Sequence, residues 1–190
     1  IIGLVLTMLC CIVLGMGVPT TANYCIMAAT CAPILISPEI GINLVCAHFF
    51  VFYFGIVADI TPPVALAAYA GSAIAKAPPM KTALNATRLA ISAFIVPYIL
   101  AMNPAMVFID TNAFEVIQVC VTSLLGIFGI AAALNGFLYK KLNPLFRALL
   151  IAGGLCSMYP GLISDAVGIV LVVGIAMLQK TTAKKEAAAA

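Results

Sequence analysis

The sequence predicts an all-α integral membrane protein. Of its 190 residues, 65% are hydrophobic and only 8% are charged, whereas soluble domains carry about 25% charged residues. Three apolar runs, at residues 42–58, 83–102 and 113–134, approach the ~20 residues that a helix needs to cross a bilayer. The composition therefore excludes an ordinary soluble domain, and the net charge of +3 is too small to indicate a nucleic-acid partner.

The first element that needs explanation is a polar break in an apolar helix. Residues 42–58 and 64–75 both have helical patterns, and Asp-Ile-Thr-Pro-Pro at residues 59–63 separates them. Pro62 and Pro63 supply no backbone N–H, so carbonyls one turn upstream lose their helical partners. An unsatisfied carbonyl costs several kcal/mol in hydrocarbon. We therefore expect a bound cation or a polar substrate to satisfy the backbone at this discontinuous transmembrane helix.

Two ionisable residues lie near this break. Asp59 has no Lys or Arg within fifteen residues on either side. We favour a functional or site-supporting role for it, since ionisable groups within spans usually mark sites; a cap on Thr61 and the following helix is the alternative. His48 lies in an aromatic run, and we expect it to be a hydrogen-bonded packing residue rather than a ligand or a proton carrier.

A second polar interruption lies upstream, at residues 15–23. There Gly-Met-Gly-Val-Pro-Thr-Thr-Ala-Asn separates two apolar arms at residues 1–14 and 24–36. Each arm is about a dozen residues, or roughly 18–20 Å as a helix, which is short for a full span. We favour a re-entrant helical hairpin that enters from the outer face and has its tip near the bilayer midplane. An ordinary loop between two full spans is the alternative.

The placement of charge predicts the orientation in the membrane. Basic residues cluster at 76–88, 140–147 and 180–185, and the positive-inside rule places such clusters in the cytoplasm. Residues 103–112 carry Asp110 and no basic residue, so we place them outside.

The C-terminal part allows two arrangements. Residues 149–158 and 166–178 are short apolar helices split by residues 159–165, and they form either a hairpin or one kinked span. The hairpin keeps the last lysines inside, as the charge rule prefers. We expect Asp165 to lie in a loop at the membrane surface, and we expect a disordered tail after residue 179.

Two further features limit the interpretation. The seven cysteines form no CxxC pair and the chain has one His, so we expect no transition-metal site and interpret the cysteines as packing residues. The sequence starts with Ile in an apolar helix and shows no charged region followed by a cleavage site. We therefore expect the C-terminal piece of a longer protein and not a signal peptide.

The two polar stretches together suggest a family. Gly15-Met-Gly-Val-Pro-Thr-Thr-Ala-Asn followed by Ala58-Asp-Ile-Thr-Pro-Pro-Val-Ala-Leu-Ala-Ala resembles the second half of the large membrane subunit of tripartite ATP-independent periplasmic (TRAP) transporters. The chain is most similar to the fused permeases that work with TAXI-type binding proteins, over essentially its whole length. The resemblance implies one half of an inverted repeat of the ion-transporter type, with sodium and substrate between the two halves.

Matched residue by residue, the resemblance implies a set of site residues. Gly15, Gly17, Pro19, Thr20 and Thr21 form the hairpin tip, and Ile60, Thr61 and Pro62 face it. We add Asn23 and Asp59 as candidate ligands for an ion or a substrate.

The chemistry of this set suits sodium. The expected sodium position is at Gly17, Thr20, Ile60 and Thr61, because hydroxyl and backbone oxygens suit a hard cation and would not hold zinc or copper. A proton is the alternative coupling ion, and no other cofactor and no catalytic residue is expected.

The resemblance also implies a division of the chain. We assign residues 1–82 to the hairpin and broken helix of a transport domain and residues 83–135 to further transmembrane helices. Residues 136–179 form an interfacial segment and a C-terminal helical hairpin, and residues 180–190 form the tail.

The function implied is that of a permease portion of a secondary active transporter in the bacterial inner membrane, a multi-pass protein that takes up a small organic acid by symport. Its implied partners are the first inverted repeat of the same permease, a small membrane subunit or fused equivalent, a periplasmic solute-binding protein and the lipid bilayer. The alternative is a non-transporting module, either an intramembrane enzyme or a structural subunit; a channel is a weaker option. We do not expect an enzyme, because Asp59 has no apparent catalytic partner.

Overall fold

A computed structural model describes residues 1–189 of the protein, with side chains described as far as Lys184. In this part of the chain, 77% of the residues are helical, in ten α-helices and two 3₁₀ turns. The predicted all-α class is confirmed.

Three helical stretches in the described part are long and apolar enough to cross a membrane. They are Pro79–Met102, Ala113–Asn135 and Leu162–Lys184. Four further apolar helices are shorter than a full span, at Ile2–Leu14, Leu44–Ile60, Leu66–Ala75 and Pro144–Cys156. This is the helix content of a membrane protein.

The chain divides into two compact units, Ile1–Val107 and a second that begins at Phe108. The helices of the first unit are α1 (Ile2–Leu14), α2 (Thr20–Thr30), α3 (Ala32–Ile36), α4 (Leu44–Val57), α5 (Leu66–Ala75), α6 (Pro79–Leu89) and α7 (Ile91–Met102). Its 3₁₀ turns are Ala58–Ile60 and Pro104–Val107. The second unit contains α8 (Ala113–Asn135), α9 (Pro144–Cys156) and α10 (Leu162–Ala189).

Helix α4 is the centre of the first unit. It packs against α1, α2 and α7, and its Phe50 and Phe54 are fully buried. Both rings meet the edge or face of Tyr98 on α7, with centroid separations of 5.3 and 5.9 Å. Such aromatic pairs stabilise a core by about 0.5–1.5 kcal/mol beyond their buried area. The polar break that follows α4 is thus attached to the most buried helix of the unit.

The hairpin differs from its predicted bounds at the second arm. Helix α2 begins at Thr20, so Thr20, Thr21 and Asn23 lie in its first turn and not in an irregular tip. The turn between the arms is confined to residues 15–19, where Gly17 has φ +77° and Pro19 has extended backbone before the first helical residue. Proline's fixed φ and missing N–H are tolerated at a helix start, which explains why α2 begins directly after Pro19 and not at residue 24 as predicted.

The second arm of the hairpin consists of α2 and α3, which only Cys31 separates. Residues 20–36 correspond to roughly 25 Å at 1.5 Å per residue, which is less than the ~30 Å hydrocarbon layer. Helices α1, α2 and α3 all pack on α4, and the re-entrant arrangement stays a prediction.

The predicted break in the helix is present, and it starts slightly later than the sequence indicated. The chain continues from α4 through the 3₁₀ turn Ala58–Ile60, and Thr61 then turns to extended backbone with ψ 127°. Ala65 has left-handed backbone with φ 36° immediately before α5. The irregular segment is therefore residues 61–65.

The predicted span at residues 83–102 consists of two consecutive helices, α6 and α7, and starts earlier than predicted. Helix α6 begins with Pro79 and is separated from α7 by Ala90, which has ψ 18°. Pro97 lies inside α7. Small side chains pack α5 against α6, through the buried residues Ala65, Ala68 and Ala83.

The second unit is a bundle of three helices joined at glycines. A Cβ added to Gly154 on α9 would lie 2.7 Å from the Gly126 carbonyl of α8, and one added to Gly168 on α10 would lie 2.7 Å from the Gly153 carbonyl. Such small residues let membrane helices approach closely. Helices α9 and α10 pack side by side, but α10 is a span-length helix and not the short helix predicted at residues 166–178.

Both ends of α8 are capped. Asn112 and Glu115 form a capping box at its N-terminus, and Arg147 Nε donates to the Ala133 carbonyl at 2.7 Å at its C-terminus. A guanidinium at this end also interacts favourably with the helix dipole.

Two expectations for this unit are wrong. Asp165 does not lie in a surface loop: it is in the first turn of α10, is only 9% exposed and accepts a hydrogen bond from Gln118 Nε2 at 2.9 Å. The last residues are helical through Ala189 instead of a disordered tail, because Ala, Lys and Glu are strong helix formers. Ala190 lies outside the described residues.

The glycine contacts generate a stability prediction. Gly154→Ala places a Cβ 2.7 Å from backbone, so we expect a loss of about 1–3 kcal/mol, the range for overpacking. Gly174→Ala on α10 is the control, since nothing lies within 4 Å of its added Cβ, and helix propensity favours that change by about 0.5–1 kcal/mol. Denaturant unfolding of the full chain in detergent measures both. Equal stability of the two variants would contradict the packing described.

Candidate functional site

The candidate site lies where the end of the hairpin's first arm meets the broken helix. Gly15 is buried at the end of α1; a Cβ added to it would lie 2.7 Å from Asn23 Nδ2 and 2.8 Å from the Ala58 Cβ. A Cβ added to Gly55 on α4 would lie 3.1 Å from the same Asn23 atom. The two glycines therefore let the hairpin and the break approach within van der Waals distance.

Asn23 joins these elements. It is 1% exposed, and its Nδ2 donates to the Gly55 carbonyl at 3.2 Å. Its Oδ1 is buried and has no hydrogen-bond partner among the described residues. Leaving such an acceptor unsatisfied costs about 1–3 kcal/mol, so this oxygen is the group in the site that most needs a ligand.

Carbonyls freed by the break already accept hydrogen bonds from side-chain hydroxyls. This corrects the expectation that a bound cation or substrate alone would satisfy them. Thr61 Oγ1 donates to the Val57 carbonyl at 2.7 Å, and Tyr69 Oη donates to the Pro63 carbonyl at 2.7 Å. Thr87 Oγ1 lies 3.0 Å from both the Ile60 and the Ala83 carbonyls. Hydroxyl groups thus brace the irregular backbone, while each carbonyl oxygen retains a second lone pair that can coordinate a cation.

Asp59 is half-buried in the 3₁₀ turn that precedes the break. No side chain caps α5, so the interpretation of Asp59 as a cap of that helix is wrong. Within the described residues its carboxylate forms no hydrogen bond or ion pair. It therefore contributes a negative charge beside the break, and its functional role stays a prediction.

The remaining predicted residues fall into two groups. Ile60, Thr61 and Pro62 are half-buried at the break. Gly17, Pro19, Thr20 and Thr21 are exposed, and no hydrogen bond in the described part joins Thr20 or Thr21 to the broken helix. The structure thus brings Gly15 and Asn23 to Gly55 and Ala58, just before the break, and leaves the exposed tip outside this contact. The sodium position at Gly17, Thr20, Ile60 and Thr61 stays a prediction.

Sequence reasoning missed three contributors to the site. Gly55 carried a signal, since a glycine inside an apolar helical pattern often marks a close approach of backbone. Thr87 and Tyr69 carried none: their roles depend on α5 and α6 packing next to the break, which local sequence does not reveal.

His48 has the packing role that was expected. Its Nδ1 lies 3.0 Å from Tyr24 Oη, which links α4 to α2 beside an open groove of about 550 Å³. No group of three or more His, Cys, Asp or Glu in the described part could hold a metal ion.

Comparison with known proteins assigns the family. Residues 1–114 match the family model described as "Tripartite ATP-independent periplasmic transporter, DctM component", which covers the whole first unit and the start of α8. No curated protein and no solved structure matches the chain significantly. Because the match covers more than half of the 190 residues, the chain belongs to the DctM component family of tripartite ATP-independent periplasmic transporters.

Proposed function

We propose that the chain is the permease portion of a secondary active transporter that couples inward movement of a small organic acid to sodium. It works as a multi-pass protein of the bacterial inner membrane, with the first inverted repeat of the permease, a small membrane subunit or its fused equivalent, and a periplasmic solute-binding protein that delivers the acid. The DctM family is a transporter family, which supports a permease and not an enzyme.

The observation that carries the proposal is the unpartnered Asn23 Oδ1, buried where the hairpin packs on the end of α4, beside the turn that precedes the break. Oxygen atoms are the available cation ligands of this region: the Asn23 amide oxygen, the carbonyls of the broken helix and, in the turn before the break, the Asp59 carboxylate. Hard monovalent cations prefer such ligands. Broken helices that supply carbonyls to Na⁺ are a recurring design of secondary transporters.

The same break can serve a carboxylate substrate. Helix α5 starts at Leu66, directly after the irregular segment, and no side chain caps it. Its first N–H groups are therefore available to an anion, and the helix dipole favours negative charge there. An organic acid held at this terminus would lie close to a cation held by the carbonyls, which is a physical basis for coupling.

Uptake into proteoliposomes by the full-length assembly tests the function. We expect uptake of small carboxylates supplied with the binding protein to require an inward sodium gradient. If a proton gradient drives uptake equally well without sodium, the coupling ion is the proton and not sodium. If no organic acid is taken up, the proposal is overturned.

Asp59→Asn tests the charge beside the break within the same assay. The variant keeps the size of the side chain and removes the negative charge, so we expect the sodium concentration for half-maximal uptake to rise by roughly tenfold (~1.4 kcal/mol). Thr61→Ala is the companion variant. Unchanged sodium dependence in Asp59→Asn together with lost uptake in Thr61→Ala would assign the site to hydroxyl and backbone oxygens alone.

Thr87→Val tests the bracing of the Ile60 carbonyl. The variant removes the hydroxyl 3.0 Å from that carbonyl and keeps the volume, so we expect about fivefold weaker apparent sodium affinity, as for one hydrogen bond of about 1 kcal/mol. Thr87→Ser should restore the parent value.

Thr82→Val is the matched control on the same helix. The Thr82 hydroxyl donates to the carbonyl of Pro78, the residue just before the same helix, at 3.1 Å, so its loss should leave sodium affinity unchanged. An equal effect at both positions would show that α6 acts through its general stability and not through Ile60.

A further inference from the structure

The second unit, which lies almost wholly beyond the family match, contains a groove between two span-length helices. It has a volume of about 260 Å³. Helix α8 contributes Leu125 and Phe128, and α10 contributes apolar side chains between Val172 and Met177. Lys180 and Tyr139 are the polar residues of its lining.

The two polar residues belong to the same end of the bundle. Tyr139 lies in the connection that follows α8, and Lys180 is the lining residue nearest the C-terminus of α10. Because α9 runs back between α8 and α10, the C-terminal ends of α8 and α10 lie at the same end. The groove is therefore apolar along the helices and has an ammonium and a phenol at one end.

Among the side chains that the structure describes, those near this end carry charge of one sign. The basic residues near it are Lys140, Lys141, Arg147, Lys180 and Lys184. The described acidic side chains of this unit, Asp110, Glu115 and Asp165, lie at or before the N-terminal ends of α8 and α10. Arg147 already donates to the carbonyls that end α8, whereas Lys180 is exposed and lines the groove. An occupant that complements both parts has an apolar chain and an anionic head.

We propose that this groove binds an anionic phospholipid, with one acyl chain against Leu125, Phe128 and Val172 and the phosphate at Lys180 and Tyr139. The ammonium and the phenol hydroxyl donate hydrogen bonds to phosphate oxygens. The positive-inside rule places this lysine-rich end in the cytoplasm, where the leaflet carries the anionic lipids that basic residues attract. A zwitterionic lipid fills the groove equally well but lacks the net charge that Lys180 complements.

These 190 residues contain no Trp, so once any Trp elsewhere in the full-length protein is replaced by Phe, one introduced Trp reports on the groove without background. Phe128→Trp of the full-length protein is reconstituted in vesicles that contain either brominated phosphatidylglycerol or brominated phosphatidylcholine at equal mole fraction. We expect about fivefold stronger association of the anionic quencher, the effect of one lysine near the surface. Phe114→Trp, near the opposite end of α8 and 76% exposed, should show no preference.

Charge variants make the test specific. Lys180→Gln should remove the preference at Phe128→Trp, whereas Lys184→Gln, one turn further along α10 and outside the groove, should leave it intact. Equal loss in both variants would overturn the proposal in favour of general surface charge, and a preference that persists in Lys180→Gln would also overturn it.

The quenching also distinguishes other occupants. Absence of quenching by both lipids would show that a protein helix or a second copy of the chain covers the groove, and equal quenching by both would show ordinary lipid contact; each result overturns the proposal. Met177→Trp, in the same groove and 65% exposed, replaces Phe128→Trp if that variant does not reconstitute.

Discussion

The hydrogen bond from Asn23 to the Gly55 carbonyl is the contact on which the candidate site depends. It joins the second arm of the hairpin to α4, the most buried helix of the first unit. The bond is possible because Gly15 and Gly55 leave space on both sides of the amide, where any side chain would force the elements apart. It also fixes the amide so that its nitrogen is used and its oxygen is left unpartnered.

The second constraint is the bracing of irregular backbone. Non-helical backbone at membrane depth is tolerated where protein groups or a wet cavity satisfy it. Here the hydroxyls of Thr61, Tyr69 and Thr87 reach carbonyls at the end of α4, in the break and in the turn before it, respectively. The break can therefore exist without a ligand and still offer oxygen lone pairs to one. A transporter that must bind and release its cargo needs such a site, because a break that only the cargo satisfied would hold that cargo too tightly.

The sequence predicted the features that glycine and proline determine locally. The break near Pro62, the turn at Gly17 and the family follow from such residues, because they restrict or free the backbone regardless of the rest of the fold. The start of α2, the burial of Asp165 beside Gln118 and the role of Thr87 were not predictable in this way. Each depends on which helices pack together, and a polar residue in an apolar run has the same local pattern whether its partner is water, a ligand or another helix.

The proposed binding of the coupling cation by the Asn23 oxygen is tested most directly by thermal unfolding of the purified full-length permease. A ligand that binds only the folded state stabilises it in proportion to its occupancy, so sodium should raise the unfolding temperature and potassium should not. Asn23→Leu, which has the same branched skeleton and no polar side-chain atoms, should still fold and should lose the sodium-dependent rise. A sodium-dependent rise of the same size in Asn23→Leu would contradict the claim.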